Sequence, residues 1–369
     1  MANSSYQIAT TPKLYVSYPL FQYASGALDE YYVGDPDYFP MTDKNFIDLI
    51  QLDPSNQTRI YSDTRRFTEI GYRLVPSYDD FTPMVESGLA NIDFAMFLGH
   101  NFHSSEGGVS ITSISFKDDD GAGNFEASAT NNNPINNCYQ NVPEYDGWSL
   151  IDFGASSATL DTCRAIEFNF SRPYDDLFVG QQNLDFNLGA LSWGKSYTFP
   201  MNTQINTSTK FEYGIKQKST ISGKTISTAN WTKPNNWSTE PFGLTEGEEG
   251  DNFQRRSGRR VWKISFDSLA PDKVMPQNMM MNSNGFTAQD NHSVAADGTS
   301  SLYNINNSED FYSVVVNRTL GGHLPMVLQI DSSDNSPSNF AIVRMNKDYT
   351  VTQKSPLLFS YSITLTEQI

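Results

Sequence analysis

Cysteine is nearly missing from this chain: only Cys138 and Cys163 occur among its 369 residues. A secreted scaffold of this size that relied on disulfides would carry more, and a pairing cannot be judged without geometry, so the expected state is reduced. Charged residues make up only 18% of the chain, and the Ala, Leu, Glu, Lys and Arg of a helical protein are scarce. No apolar run approaches the roughly 20 residues needed to cross a bilayer, so no membrane span is expected. The segment from Met1 to Leu20 lacks both a basic leader and a continuous apolar core, so no secretory signal is expected either. Neither a Gly-x-Ser-x-Gly elbow nor a catalytic cysteine pattern is present, which weakens an enzymatic reading. Gly-rich phosphate loops are missing as well, so no nucleotide cofactor is implied.

Aromatic residues are abundant, at 13%, with 24 Phe and 19 Tyr. Flat rings and β-branched side chains suit a half-buried pleated surface. Period-two alternation recurs wherever the chain is apolar. Ile92, Phe94, Met96 and Leu98 alternate with Asn91, Asp93 and Ala95; Ile166, Phe168 and Phe170 alternate with Glu167 and Asn169. Trp262, Ile264 and Phe266 follow the same rule around Lys263 and Ser265. Near the end, Phe359, Tyr361, Ile363 and Leu365 oppose a hydroxyl face of Ser360, Ser362, Thr364 and Thr366. Between Val109-Ile111 and Ile114-Phe116 the phase changes, which predicts a β-bulge near Thr112 and Ser113. The best helix candidate is Asp43 to Leu52, with Asp43 as cap and Phe46, Ile47 and Ile50 on one side. The expected fold is therefore all-β, an antiparallel β-sandwich or jelly roll with long polar loops and an extended arm.

The length exceeds a usual domain and points to more than one packed unit. Composition suggests an N-terminal jelly-roll-like sandwich over 1–199, a polar arm or hairpin over 200–259, and a C-terminal β unit over 260–369 that completes or packs on the sandwich. The middle region holds too few apolar residues for its own core, so it is expected to lie over a neighbour. With 25 basic against 42 acidic residues the net charge is −17, which repels phosphate backbones and anionic lipid and argues against nucleic acid as a partner. One basic cluster, Arg255, Arg256, Arg259 and Arg260, follows an acidic stretch with Glu246, Glu248, Glu249 and Asp251. It reads first as a solvated loop and second as half of a subunit contact.

Several clusters could carry chemistry, and each has a plainer reading. His100, His103 and Glu106 follow a strand end and could converge on a metal, or one histidine could be hydrogen-bonded into the turn with the second exposed. Asp118, Asp119 and Asp120 before Gly121, and Asp331 with Asp334, resemble fragments of a calcium loop without its ligand spacing; a solvated turn fits them better. No metal and no cofactor is therefore expected. Aromatics in polar loops, Tyr145, Trp148, Trp231 and Trp237, are the candidate glycan or interface contacts, because an indole face can stack on a sugar ring, with simple packing as their plainer reading. A glycan-degrading enzyme would need two carboxylates about 5 to 10 Å apart in a groove, which sequence cannot display.

Two stretches carry a resemblance. Asn91-Ile-Asp-Phe-Ala-Met-Phe-Leu-Gly-His-Asn-Phe102 resembles the strand followed by Leu-Gly-His-Asn of jelly-roll, galactose-binding-like modules in phage virion proteins. Arg260 to Leu269, Leu320 to Gln329 and Asn339 to Arg344, followed by a closing alternating strand, resemble in their order tail-associated structural proteins of marine and cyanobacterial phages. The resemblance implies a β-sandwich that works in assembly as a baseplate, distal-tail or fibre-adaptor component. It implies other virion proteins as partners, a homo-oligomeric state and a virion location after synthesis in a host cytoplasm. A carbohydrate-binding module for host surface glycans and a capsid decoration protein are the alternatives. The Thr/Ser-rich middle and the Thr-Glu-Gln-Ile end depart from the group, which leaves the tail position open.

Overall fold

The computed structural model describes residues 11–25, 28–31, 41–42, 46–62, 68–74, 92–105, 108–119, 125–131, 138–139, 142–143, 146–152, 165–171, 184–200, 206–229, 258–276, 309–335, 339–346 and 348–368. Among them the fold is all-β, and every strand pairing is antiparallel. The largest sheet has ten strands. It runs Trp148–Asp152, Phe94–Leu98, Ala190–Thr198, Lys13–Ser17, Met326–Gln329, Phe340–Met345, Leu358–Glu367, Arg259–Leu269 and Asn206–Glu212, with Val351–Ser355 paired to Leu358–Glu367. A five-stranded sheet, ordered Leu28–Tyr31, Thr68–Leu74, Ala165–Ser171, Ser110–Asp119 and Phe125–Asn131, lies against one part of it.

Alternation explains the packing between the two sheets. Ala95, Phe97, Ile151, Leu191 and Trp193 from the large sheet meet Ile111, Ile114, Ile166, Phe168 and Phe170 from the smaller one. Leu184, Phe186 and Leu188, together with Ile60, close the same core from a three-stranded sheet. Ring contacts there include edge-on pairs, as between Phe97 and Phe168 at 5.6 Å and 90°.

Farther along the same face of the large sheet, a second core is covered, among the described residues, by the segment around Phe311 rather than by another sheet. Leu14, Val16, Trp262, Ile264, Phe266, Leu328, Val343, Ile363 and Leu365 pack against Phe311, Val314, Val315 and Val316. The segment Tyr312–Asn317 is a π-helical turn. Asp310 fastens its start by accepting from the Ser313 N–H at 2.9 Å and the Ser313 hydroxyl at 2.7 Å. Three successive β-branched residues disfavour an ordinary α-helix, and in this wide turn all three are buried.

Strand Phe94–Leu98 differs from the alternation read for it. All five residues are buried. Ala95 and Phe97 enter the sandwich core, whereas Phe94, Met96 and Leu98 join Tyr15, Trp148, Leu150, Phe340 and Ile342 on the opposite face. A central strand covered on both sides has no polar face to display, so its period carries less information. The bulge does fall where the phase changes: Asn169 pairs with Ser113 and Phe170 with Ile111, leaving Thr112 as the extra residue. Its hydroxyl donates to the Asn169 carbonyl at 3.0 Å. The expected helix is instead a 3-10 turn over Phe46–Ile50, with Leu49 and Ile50 buried; Asp43 lies outside the described residues. An α-helix occurs at Tyr18–Ala24, where Pro19 occupies the first turn and needs no N–H partner.

Strand Lys13–Ser17 is hydrogen-bonded to Ala190–Thr198 on one side and to Met326–Gln329 on the other, so the N- and C-terminal strands form one continuous sheet. Leu14 is fully buried in it. Leu14→Ala is expected to lower unfolding free energy by about 2–5 kcal/mol, measured by urea titration, because the cavity opens where the two halves join.

Candidate interaction surface

Chain that the sheet leaves uncovered begins at its edge. Strand Asn206–Glu212 pairs on one side with Arg259–Leu269 and, among the described residues, with no strand on the other. Residues 207–211 are exposed on both faces. The root of this edge is firm. Arg260, opposite Phe211, is buried, and its guanidinium donates to Glu367 Oε1 from Nε at 3.1 Å and from Nη2 at 2.9 Å. Its backbone N–H donates to Glu367 Oε2 at 2.9 Å, and its guanidinium lies 4.8 Å over the Trp262 ring. Arg259 Nε donates to the Glu367 carbonyl at 2.6 Å. Arg259 and Arg260 are therefore not in a solvated loop; they open a strand, and one is sealed in an ion pair. Arg255 and Arg256 lie outside the described residues.

Past Glu212 the chain forms a hairpin, Lys216–Ser219 paired with Thr225–Thr228, and all eight strand residues are exposed. Threonine and isoleucine favour the extended backbone, and Ser222-Gly223 supplies the turn. Gly223 has φ +81°, a left-handed conformation that a side chain would strain. The turn is closed by the Thr220 N–H donating to the Lys224 carbonyl at 2.8 Å and by the Lys224 N–H donating to the Thr220 hydroxyl at 3.1 Å. The register places Lys216, Lys218, Ile226 and Thr228 on one face and Gln217, Ser219, Thr225 and Ser227 on the other. Phe211, Ile215, Ile221 and Ile226 are large apolar side chains more than half exposed along this segment.

Trp148 is 2% exposed, and its ring packs 4.3 Å from that of Phe340, so the indole face a sugar would need is occupied. Tyr145, Trp231 and Trp237 lie outside the described residues, as do Glu106, Asp120, Gly121 and Cys163. Cys138 lies in a short strand paired with Val142–Pro143, and Asp118 and Asp119 end strand Ser110–Asp119. Asp331 is buried and accepts from the Ser333 N–H at 2.9 Å and its hydroxyl at 2.6 Å. Asn339 donates to the Asp331 and Asp334 carbonyls, which makes this loop a self-satisfied turn. No group of three metal-ligating side chains occurs among the described residues.

His100 is fully buried, stacked 4.1 Å from Phe102. Its Nδ1 accepts from the Phe102 N–H at 3.3 Å, which leaves Nε2 as the protonated nitrogen, 2.9 Å from the Ser149 hydroxyl. Burial depresses its pKa to about 3. His103 is exposed, and its Nδ1 lies 3.1 Å from the Pro143 carbonyl. The preceding Gly99, at φ +65°, is fixed by close approach, because a Cβ there would overlap the Pro54 carbonyl. The Gly-His turn is thus a packed corner of the fold.

Buried phenols behave alike. Desolvation raises Tyr15, Tyr197, Tyr349 and Tyr361, and pushes Tyr18 up to about 12, so all remain neutral and serve packing rather than proton transfer. Arg318 is buried with its guanidinium over the rings of Tyr18 and Phe21 at 4.9 and 5.3 Å. No helix among the described residues is long and apolar enough to cross a membrane. No protein-family model matches the chain, and no curated protein matches it significantly.

The state of His100 gives a pH dependence. Its folded pKa lies near 3 and its ordinary value is 6.5, so between them only the unfolded chain takes up the proton. Its contribution is complete above 6.5 and declines on acidification by about 1.4 kcal/mol per pH unit. Unfolding free energies from urea titrations should fall more between pH 6.5 and pH 5 in the native chain than in His100→Gln.

Proposed function

We propose that this chain is a non-enzymatic structural component of a phage particle, in the tail, at a baseplate, distal-tail or fibre-adaptor position, where it serves assembly and host attachment. The single observation that supports the reading most is the strand that, among the described residues, ends the large sheet uncovered, with its projecting hairpin. A strand bare on both faces contributes little to its own monomer, and an isolated two-stranded hairpin is at best marginally stable in water. Such a segment suits a chain that completes its packing on neighbours. Symmetric particles multiply modest contacts, so one interface of this kind per subunit suffices.

Shifted titratable groups are consistent with the non-enzymatic part of the proposal. His100, the buried tyrosines and Asp93 are each tied into packing: the Asp93 carboxylate, raised by burial, accepts from the Ser196 N–H and hydroxyl at 2.7 Å each. The jelly-roll, galactose-binding-like character of the N-terminal part belongs to the same proposal and rests on the Leu98-Gly-His-Asn101 resemblance.

Mass spectrometry and immunogold labelling of particles purified from a culture carrying the gene test this reading. The chain is expected in fixed stoichiometry with other virion proteins, and antibody is expected on the tail. Label confined to the head would move the chain to capsid decoration. Recovery only in the particle-free lysate, or release of reducing sugar from a host polysaccharide by the purified chain, would overturn the assignment.

A further inference from the structure

The arm has a charge that its own chain opposes. Residues 206–229 carry Lys210, Lys216, Lys218 and Lys224 against Glu212 alone, in a protein whose totals are 25 basic and 42 acidic residues. Two of the lysines, Lys216 and Lys218, share one hairpin face with Ile226, which is 53% exposed. Lys210 is paired to Glu212 at 2.8 Å, which leaves the hairpin as the more basic part. A face with two ammonium groups around an exposed isoleucine suits an acidic protein surface that also offers apolar area.

We propose that residues 206–228 form a docking arm whose Lys216-Lys218-Ile226 face binds the acidic surface of a second copy of this chain. The inference rests on the assembly reading above and names the partner of the arm. Each copy carries both halves of the contact, a basic projecting hairpin and a strongly acidic remainder, so the match is between different patches of identical chains. Contacts of that kind are heterologous and close into rings or extend into filaments. The same acidity that attracts the arm repels nucleic acid and anionic lipid from the chain as a whole. The ion-paired root at Arg260 and Glu367 gives the arm a fixed base from which to reach outward.

Sedimentation velocity of the full-length chain, at low and moderate salt, tests the proposal. The native chain should form oligomers that weaken as salt rises. The variant Lys216→Glu/Lys218→Glu should raise the dissociation constant at least about tenfold while circular dichroism stays unchanged, since both side chains are exposed. The matched variant Lys273→Glu/Lys354→Glu, which reverses lysines outside the arm, should associate like the native chain. A native chain that remains monomeric overturns the inference, and so does an oligomer indifferent to the arm reversal. An arm-dependent oligomer of a chain that is not found in particles would keep this contact and remove the virion assignment.

Discussion

Everything in this fold is strung on the pairing of strand Lys13–Ser17. It is hydrogen-bonded on both sides, joining Ala190–Thr198 to Met326–Gln329 across more than a hundred residues of intervening sequence. Its side chains divide by the pleat: Leu14 and Val16 enter the core lined by Phe311 and the valines, while Tyr15 joins Phe94 and Phe340 on the reverse face. Both faces are therefore committed, and a slip of one residue would send Tyr15 into one core and two aliphatic residues into the other. Tyr15 also donates to Gln329 at 2.8 Å, and that glutamine in turn holds the Asp334 carbonyl. Register, core and loop are thus set together.

Several buried polar groups fasten such joints. The Arg260–Glu367 pair ties the start of one strand to the end of another, and removing one member of a pair this buried costs about 3–5 kcal/mol because it strands the other charge. Asp93 does similar work through Ser196, and Asn339 through the Asp331 loop. These residues would attract notice in a search for catalytic groups. Their hydrogen bonds point instead to strand ends and turns.

At the arm the arrangement reverses. Natural sheets protect their edges with short strands, charge, proline or cover, since open ladder groups and exposed apolar residues invite other chains. Here the edge strand has seven residues, and the hairpin beyond it exposes Ile221 and Ile226. Lysines on the hairpin set positive charge beside that exposed apolar area, a placement that discourages indiscriminate edge pairing.

Alternation by itself determined the strand character of the chain, the aromatic inner faces at Ile166-Phe168-Phe170 and Trp262-Ile264-Phe266, and the bulge at Thr112, because side-chain period is a local property of extended backbone. It misread Phe94–Leu98, Arg260 and the Asp43–Leu52 segment, and it left the Tyr18–Ala24 helix and the π-helical turn unseen. Each of those depends on contacts distant in sequence: a second covering layer behind Phe94, Glu367 beside Arg260, a sheet face beneath three valines. Trp148 shows the same limit, since loop-like neighbours suggest an open ring and only the packing of Phe340 covers it. What faces a residue is decided by chain far from it in sequence, so tertiary structure alone separates a buried anchor from an exposed contact.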